Sequence, residues 1–224
     1  MEEWLFASMD PSREHLIGGA ISWHARLMVL SWGILLPLGV VIARYFKVLP
    51  GQNWPLELDN KFWWRSHLTL QISGGVIMTG GLLVVLVAEG GYADSWYHRA
   101  IGWTVIALAG LQFLSGWLRG TKGGPGDQAS GASLAGDHYD MTVRRIVFEK
   151  IHKTVGYFLL LSSAAAIIAG LWIANAPNWM WLLLSTYWAG LITLSVVLQL
   201  AGRAVDTYQA IWGPDESHPG NRRR

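Results

Sequence analysis

The sequence predicts an all-α integral membrane fold of five transmembrane helices, the first four forming a four-helix bundle. Three observations carry this prediction. Hydrophobic residues make up 52% of the 224 positions and charged ones only 14%, far less charge than a soluble domain of this length carries. The apolar residues fall into five blocks, each long enough for the roughly 20 residues a bilayer demands. None of the blocks alternates with the period of two that strands need.

Taken in order, the opening MEEWLFASMD is acidic and therefore not a signal peptide. Residues 1–19 read as a short outer segment. The first helix is expected from Ala20 to Phe46, with Pro37 predicting a kink that membrane helices tolerate. The second runs from Trp63 to Ala88 and the third from Trp96 to Leu118. Then comes RGTKGGPGDQASGASLAGDHYD, whose Gly, Ser and Pro content predicts a flexible loop over 119–145. Its GTKGGPG lacks the Gly-Lys-Ser/Thr ending of a phosphate loop. The fourth helix is expected from Ile146 to Ala174, closing a core of residues 20–175, and the fifth from Trp179 to Gly202 within 176–202. Residues 203–224 read as a tail, mobile over its last twelve residues. Aromatics gather at the segment ends, among them Trp23, Trp54, Trp63, Trp64, Trp96, Tyr97, Trp117, Trp179 and Trp181, as an interfacial belt requires.

The cations divide unequally between the two ends of the bundle. One end carries Arg13, Arg26 and Arg99; the other carries the remaining fourteen of the 17. The positive-inside rule makes the second end cytoplasmic, with the N-terminus outside and the C-terminus inside. Cations placed this way explain the pI near 9.0 without nucleic acid. The chain has no cysteine, which excludes disulfides, thiolate metal sites and covalent c-type haem attachment.

His24, His67, His98 and His152 each stand near the N-terminal end of a different segment; His15, His138 and His218 lie outside the spans. Alternating helix direction sorts the four into depth-matched pairs, His24 with His98 at the outer level and His67 with His152 at the inner. Ionisable groups inside a membrane are functional candidates by default. Two imidazoles at one depth on separate helices suit the axial positions of a haem iron. YHRAIGWT and EKIHKTVGYF share a further feature: Gly102 and Gly156 follow their histidines by one turn and leave backbone for a flat macrocycle to lie on. Small residues such as Gly81, Gly116, Ala166 and Gly170 recur on the same helix faces at the level of the opposite pair, clearing room for a second macrocycle. The competing account is ordinary small-residue helix packing. Arg26, Arg65, Arg99 and Lys153 flank the four histidines, placed to pair with haem propionates or merely to snorkel.

WHARLMVLSWGILLPLGVVIARYFK resembles the first core helix of the cytochrome b561 domain family, and HRAIGW and FEKIHKTVGYF resemble its later ligand helices. The resemblance covers residues 20–175 and extends loosely over the fifth segment. It implies transmembrane electron transfer through two non-covalent b haems, with His24 and His98 ligating one and His67 and His152 the other. Eukaryotic members usually have six spans and take electrons from ascorbate; this chain lacks the first span, and no ascorbate motif carries over. The expectation is a bare bacterial module of the inner membrane, an oxidoreductase-type cytochrome fed by a small anionic or quinol donor. It would sit among membrane lipid, as a homodimer or beside partner subunits. Two readings compete: a haem-bearing, quinone-reactive anchor subunit, for which Gln71 and Gln112 are the polar candidates, and a haem-free structural or assembly subunit. A metal-ion carrier fits poorly, because the histidines divide between two levels.

Overall fold

A computed structural model describes residues 2–14, 17–87, 95–125 and 134–222. His15, Ala88, Arg223, Arg224 and the middle of the Gly-rich loop, 126–133, lie outside the described residues. Five helices are long and apolar enough to cross a membrane. They are the first span Gly19–Tyr45, the second Phe62–Leu86, the third Trp96–Trp117, the fourth Val143–Ile173 and the fifth Asn178–Leu200. The only extended pairing among the described residues is an isolated bridge between Ser8 and Pro177.

Proline shapes the first span in an unexpected way. Pro37 has no N–H to give the carbonyl four residues back. The helix absorbs this by widening into a π-helical stretch, Val29–Leu35, just before it, and two side chains of the fifth span serve the carbonyls there. Trp188 Nε1 donates to Gly33 O at 2.9 Å and Tyr187 Oη to Ile34 O at 3.3 Å. Such rescue by a neighbouring helix is what lets proline persist in lipid.

The spans pack as two antiparallel pairs, first with second and third with fourth. In the first pair, Gly74 faces Leu36 and Gly81 faces Leu27 so closely that an added Cβ would stand 2.7 and 3.1 Å from them. Buried Ser31 donates to Gly74 O at 2.7 Å across the same seam. Small-residue packing therefore explains these two glycines without a cofactor. Trp32, Leu36, Met78, Val105, Ala109, Leu159 and Ile167 join the pairs in one core, which Leu184 of the fifth span touches from outside. Most of the fifth span stays exposed, as do outward residues of the other spans such as Ile72, Leu111 and Leu161. Hydrocarbon is the natural neighbour of such surfaces.

The tail departs from expectation. Residues 203–222 fold back as a cap over the cation-rich end instead of running free. Asp206 caps the helix Thr207–Trp212, accepting from Tyr208 N at 2.7 Å and Gln209 N at 3.3 Å. Tyr208 is fully buried; its hydroxyl donates to Tyr139 O at 2.8 Å and accepts from Gly220 N at 3.0 Å. Lys47, at the end of the first span, is buried and donates to Val205 O at 2.8 Å. That burial pulls its amine down to about 8.

The described flanks of the Gly-rich loop are likewise pinned together, not flexible. Gly124 N donates to Leu134 O at 2.7 Å, His138 N to Thr121 O at 3.0 Å and Thr121 N to Asp137 Oδ2 at 3.0 Å. Gly123, at φ +65°, runs so near Gly136 that a Cβ would stand 2.6 Å from its Cα. His138, expected to be solvated, is only 4% exposed, with the rings of Tyr208 and Trp212 against it. A polar, Gly-rich composition hides the few apolar side chains, Tyr208, Trp212 and Met141, that supply this small core.

Candidate functional site

Each of the four span histidines is fixed by the facing helix of its own pair, and the fixing is reciprocal. In the first pair His24 Nδ1 meets Gly81 O at 2.9 Å, and His67 Nδ1 meets Gly39 O at 3.1 Å. In the second pair His98 Nδ1 meets Ala166 O at 3.1 Å, and His152 Nδ1 meets Ser115 Oγ at 3.1 Å. A carbonyl only accepts, so the first three rings carry their proton on Nδ1. Ser115 gives its own proton to Gln112 O at 2.8 Å, so it too accepts from the ring. All four imidazoles are thus held with a bare lone pair on Nε2. A metal-binding histidine is oriented in this way, with one nitrogen anchored and the other free to coordinate.

The spacing fits as well. A metal between two imidazoles, at about 2.0–2.1 Å from each nitrogen, sets the ring centres roughly 6 Å apart. His24 and His98 come from different pairs, and their ring centres are 6.4 Å apart with planes at 84°. His67 and His152 also come from different pairs. Among the described residues no three His, Asp or Glu side chains converge to cage a bare ion. Two-nitrogen sites need a ligand set that supplies the rest of the coordination, and a porphyrin does.

The glycines divide in their roles. Gly102 has nothing within 4 Å of an added Cβ, so the helix face one turn from His98 is open, as a macrocycle requires; Gly116, at the level of the other pair, is open as well. Gly156 is different: its space is taken by Gln112, whose Nε2 would stand 3.1 Å from a Cβ there and donates to His152 O at 2.6 Å. Gly170 makes room for the opposite histidine, and Gly81 anchors one. An added Cβ on Gly170 would stand 3.2 Å from the His98 ring, and Gly81 supplies the carbonyl for His24. Of the small residues set at the other pair's level, Gly170, Gly81 and Ala166 therefore seat or anchor imidazoles where clearance for a macrocycle was expected, while Gly116 stays open. Gln71, like Gln112, is committed to a carbonyl, donating to Leu36 O at 3.1 Å.

The flanking cations also divide. Arg26, Arg65 and Arg99 are exposed beside their histidines, with Arg26 over the Trp23 ring at 5.3 Å. Lys153 is instead held by Glu149 at 2.8 Å, and Glu149 also takes Arg145 at 3.0 Å.

At the cation-rich end, Trp64 lies against His67 with ring centres 6.5 Å apart, and the Arg119 guanidinium sits over Trp64 at 4.1 Å. Above them is a cavity of about 110 Å³ lined by Lys61, Arg119, Lys122, Arg145, His138 and Asp59, among others. Asp59 draws in both Lys61 and Lys122. Residue-by-residue reading missed Ser115, Gly39 and the burial of His138. Ser115 stands seventeen positions after His98, one short of the small-residue register followed on that helix. The π-helical stretch shifts Gly39 out of the regular register after His24, and no local signal marks His138.

The chain has relatives among known proteins. The chain is 32% identical over 148 residues to a cytochrome b561, DM13 and DOMON domain-containing protein of Arabidopsis thaliana, covering 66% of this chain and 14% of that protein. A second Arabidopsis thaliana relative, a cytochrome b561 and DOMON domain-containing protein, is 27% identical over 79% of this chain and 38% of its own length. Ferric-chelate reductase 1 of Mus musculus is 26% identical over 66% of this chain and 22% of its own. The chain thus spans well under half the length of these relatives. No family model matches it, and no solved structure matches it significantly.

Proposed function

We propose that this chain, which belongs to the cytochrome b561 family, carries electrons across a membrane through two non-covalent b haems. One is held between His24 and His98 and the other between His67 and His152. The observation that carries the reading is the reciprocal anchoring of four Nδ1 atoms, which readies four Nε2 atoms in two cross-pair sites. When bound, haem supplies one-electron exchange between ferric and ferrous iron. The chain supplies the rest. Three backbone carbonyls and the Ser115 hydroxyl fix the tautomer and plane of the ligands. Its apolar core keeps water from the space between the pairs. Arg26 and Arg99 at one end and Arg65 at the other stand ready to meet propionates.

The cation-rich end is assigned to the cytoplasmic side by the positive-inside rule, in an inner membrane of bacterial type. The mouse relative bears the name of a ferric-chelate reductase; for this chain the reading extends only to the electron-transfer step. A quinone-reactive role is not favoured, because Gln71 and Gln112 are both engaged by carbonyls.

A pyridine haemochrome assay on the purified chain tests the reading. Two b haems per chain are expected, all of them released by acid acetone. One haem or none overturns it.

A further inference from the structure

Of the four atoms that anchor the span histidines, three are backbone carbonyls and one is a side-chain hydroxyl. Gly81 O, Gly39 O and Ala166 O hold His24, His67 and His98, while Ser115 Oγ holds His152. We infer that Ser115 is a positioning residue that sets the potential of the His67–His152 haem independently of the other. The inference rests on the two-haem reading above.

The physics is that of the ligand's outer hydrogen bond. An acceptor on Nδ1–H makes the imidazole a stronger electron donor to the metal, which favours the oxidised iron. A peptide carbonyl has no proton of its own and is a strong acceptor; a hydroxyl oxygen is a weaker one. Inside the membrane, low polarity magnifies the difference. The His24–His98 haem has carbonyls behind both ligands. The His67–His152 haem has a carbonyl behind one and a hydroxyl behind the other, so its oxidised state is less favoured by this effect.

The surroundings leave Ser115 no easy substitute. Its hydroxyl is oriented by donating to Gln112 O at 2.8 Å. The Gln112 side chain clamps His152 O at 2.6 Å, so one turn of the third span grips both the ring and the backbone of His152. Phe148 stacks near the ring, centres 5.1 Å apart, and offers no acceptor. In the other helix pair His67 reaches a backbone carbonyl, Gly39 O. The hydroxyl is therefore a local departure from an otherwise shared plan.

The test is a redox titration of the full haem-loaded chain, followed by visible and low-spin EPR spectra. It compares the natural protein with Ser115→Ala and Ser115→Thr. Ser163→Ala removes another buried hydroxyl, which donates to Leu160 O, and serves as the control. His98→Leu, which leaves only the His67–His152 haem, assigns the signals. Ser115→Ala is expected to raise the midpoint of that haem alone and to move its EPR signal. Ser115→Thr should restore both, and Ser163→Ala should change neither. Loss of that one haem in Ser115→Ala with retention in Ser115→Thr also supports the inference. Unmoved midpoints with both haems bound, equal shifts of both haems, or the same outcome in Ala and Thr overturn it. Failure of the two-haem reading is distinct, because it appears as a haem count below two in the natural protein.

Discussion

The two ends of the bundle hold their histidines alike and cover them differently. At the cation-poor end, the N-terminal segment is tied to the junction of the fourth and fifth spans. Asn175 donates to Asp10 O and Arg13 O, and Asn178 donates to Trp4 O. At the cation-rich end, loop flanks and tail build a cap, closed by Tyr208 and lined with cations over Trp64. The ligand plan is fixed by helix-to-helix bonds common to both ends. The access plan is set by connections and tail, which are peculiar to one. On the proposed function, electron transfer within the bundle and exchange with a donor would use separate parts of the chain, and each can be broken alone.

The largest expected effect tests the common part. His98→Leu should abolish one haem of two and leave the other with its low-spin spectrum; His152→Leu should do the reverse. Each change strands a partner imidazole, so thermal stability should also fall. Full haem content in either variant would remove that residue from the ligand set and end the claim that both ends share one plan.

The five spans were largely legible in the sequence, and the cap was not. Spans follow from long apolar runs, and depth-matched histidines follow from alternating helix direction. What holds the histidines was not legible. His67 bonds Gly39, whose register is shifted by the π-helical stretch before Pro37. Gly156 looked like clearance for a macrocycle, yet Gln112 from another helix fills it. In the cap, composition misled. Tyr208 is buried by partners more than sixty residues away in sequence, and a Gly- and Ser-rich segment gives no periodicity from which to foresee that.

Removing Tyr208 should open the cap and spare the bundle. Tyr208→Ala deletes a fully buried ring and leaves Tyr139 O and Gly220 N without their hydroxyl partner. A loss of about 3 kcal/mol or more in cap stability is expected. Hydrogen exchange should show residues 203–222 unprotected while both haems stay bound. Loss of haem together with the tail would mean that cap and bundle form one cooperative unit.

Acid should loosen the cap more gently. His138 is buried with Nε2 unpartnered, and burial, aided by the Arg145 charge, holds its imidazole at about 4. In an opened cap it would return to about 6.5. Between those values the open form binds more protons, so cap stability falls as pH drops from 6.5 and levels off near 4. The slope is at most about 1.4 kcal/mol per pH unit. Protection factors at residues 134–142, with the intrinsic pH dependence of exchange divided out, should fall from pH 7.5 to pH 5, and His138→Phe should flatten the response. A cap equally protected at both pH values would show that His138 does not govern it.

The smallest effect concerns what the cap attracts. Lys61, Arg119, Lys122 and Arg145 outnumber the carboxylates Asp59 and Glu149 around the cavity above Trp64. Half of these cations are neutralised by those carboxylates, so the remaining field is modest. It still favours an anion approaching Trp64, and among the described residues no comparable cluster stands at the cation-poor end, where Arg26 and Arg99 are the cations beside the histidines. Attraction of this kind speeds encounter and fades with salt. Screening sets in over about 8 Å at physiological ionic strength. Small anionic reductants should therefore reduce the His67–His152 haem a few-fold faster than neutral ones of equal potential at low salt. The advantage should shrink as salt rises. Replacing Lys61 and Lys122 together by Gln frees the Asp59 carboxylate and should cancel the advantage without changing haem content. Stopped-flow reduction separates the outcomes. Equal rates for anionic and neutral donors at every salt concentration would leave these cations the role of fixing the orientation of the chain in the membrane.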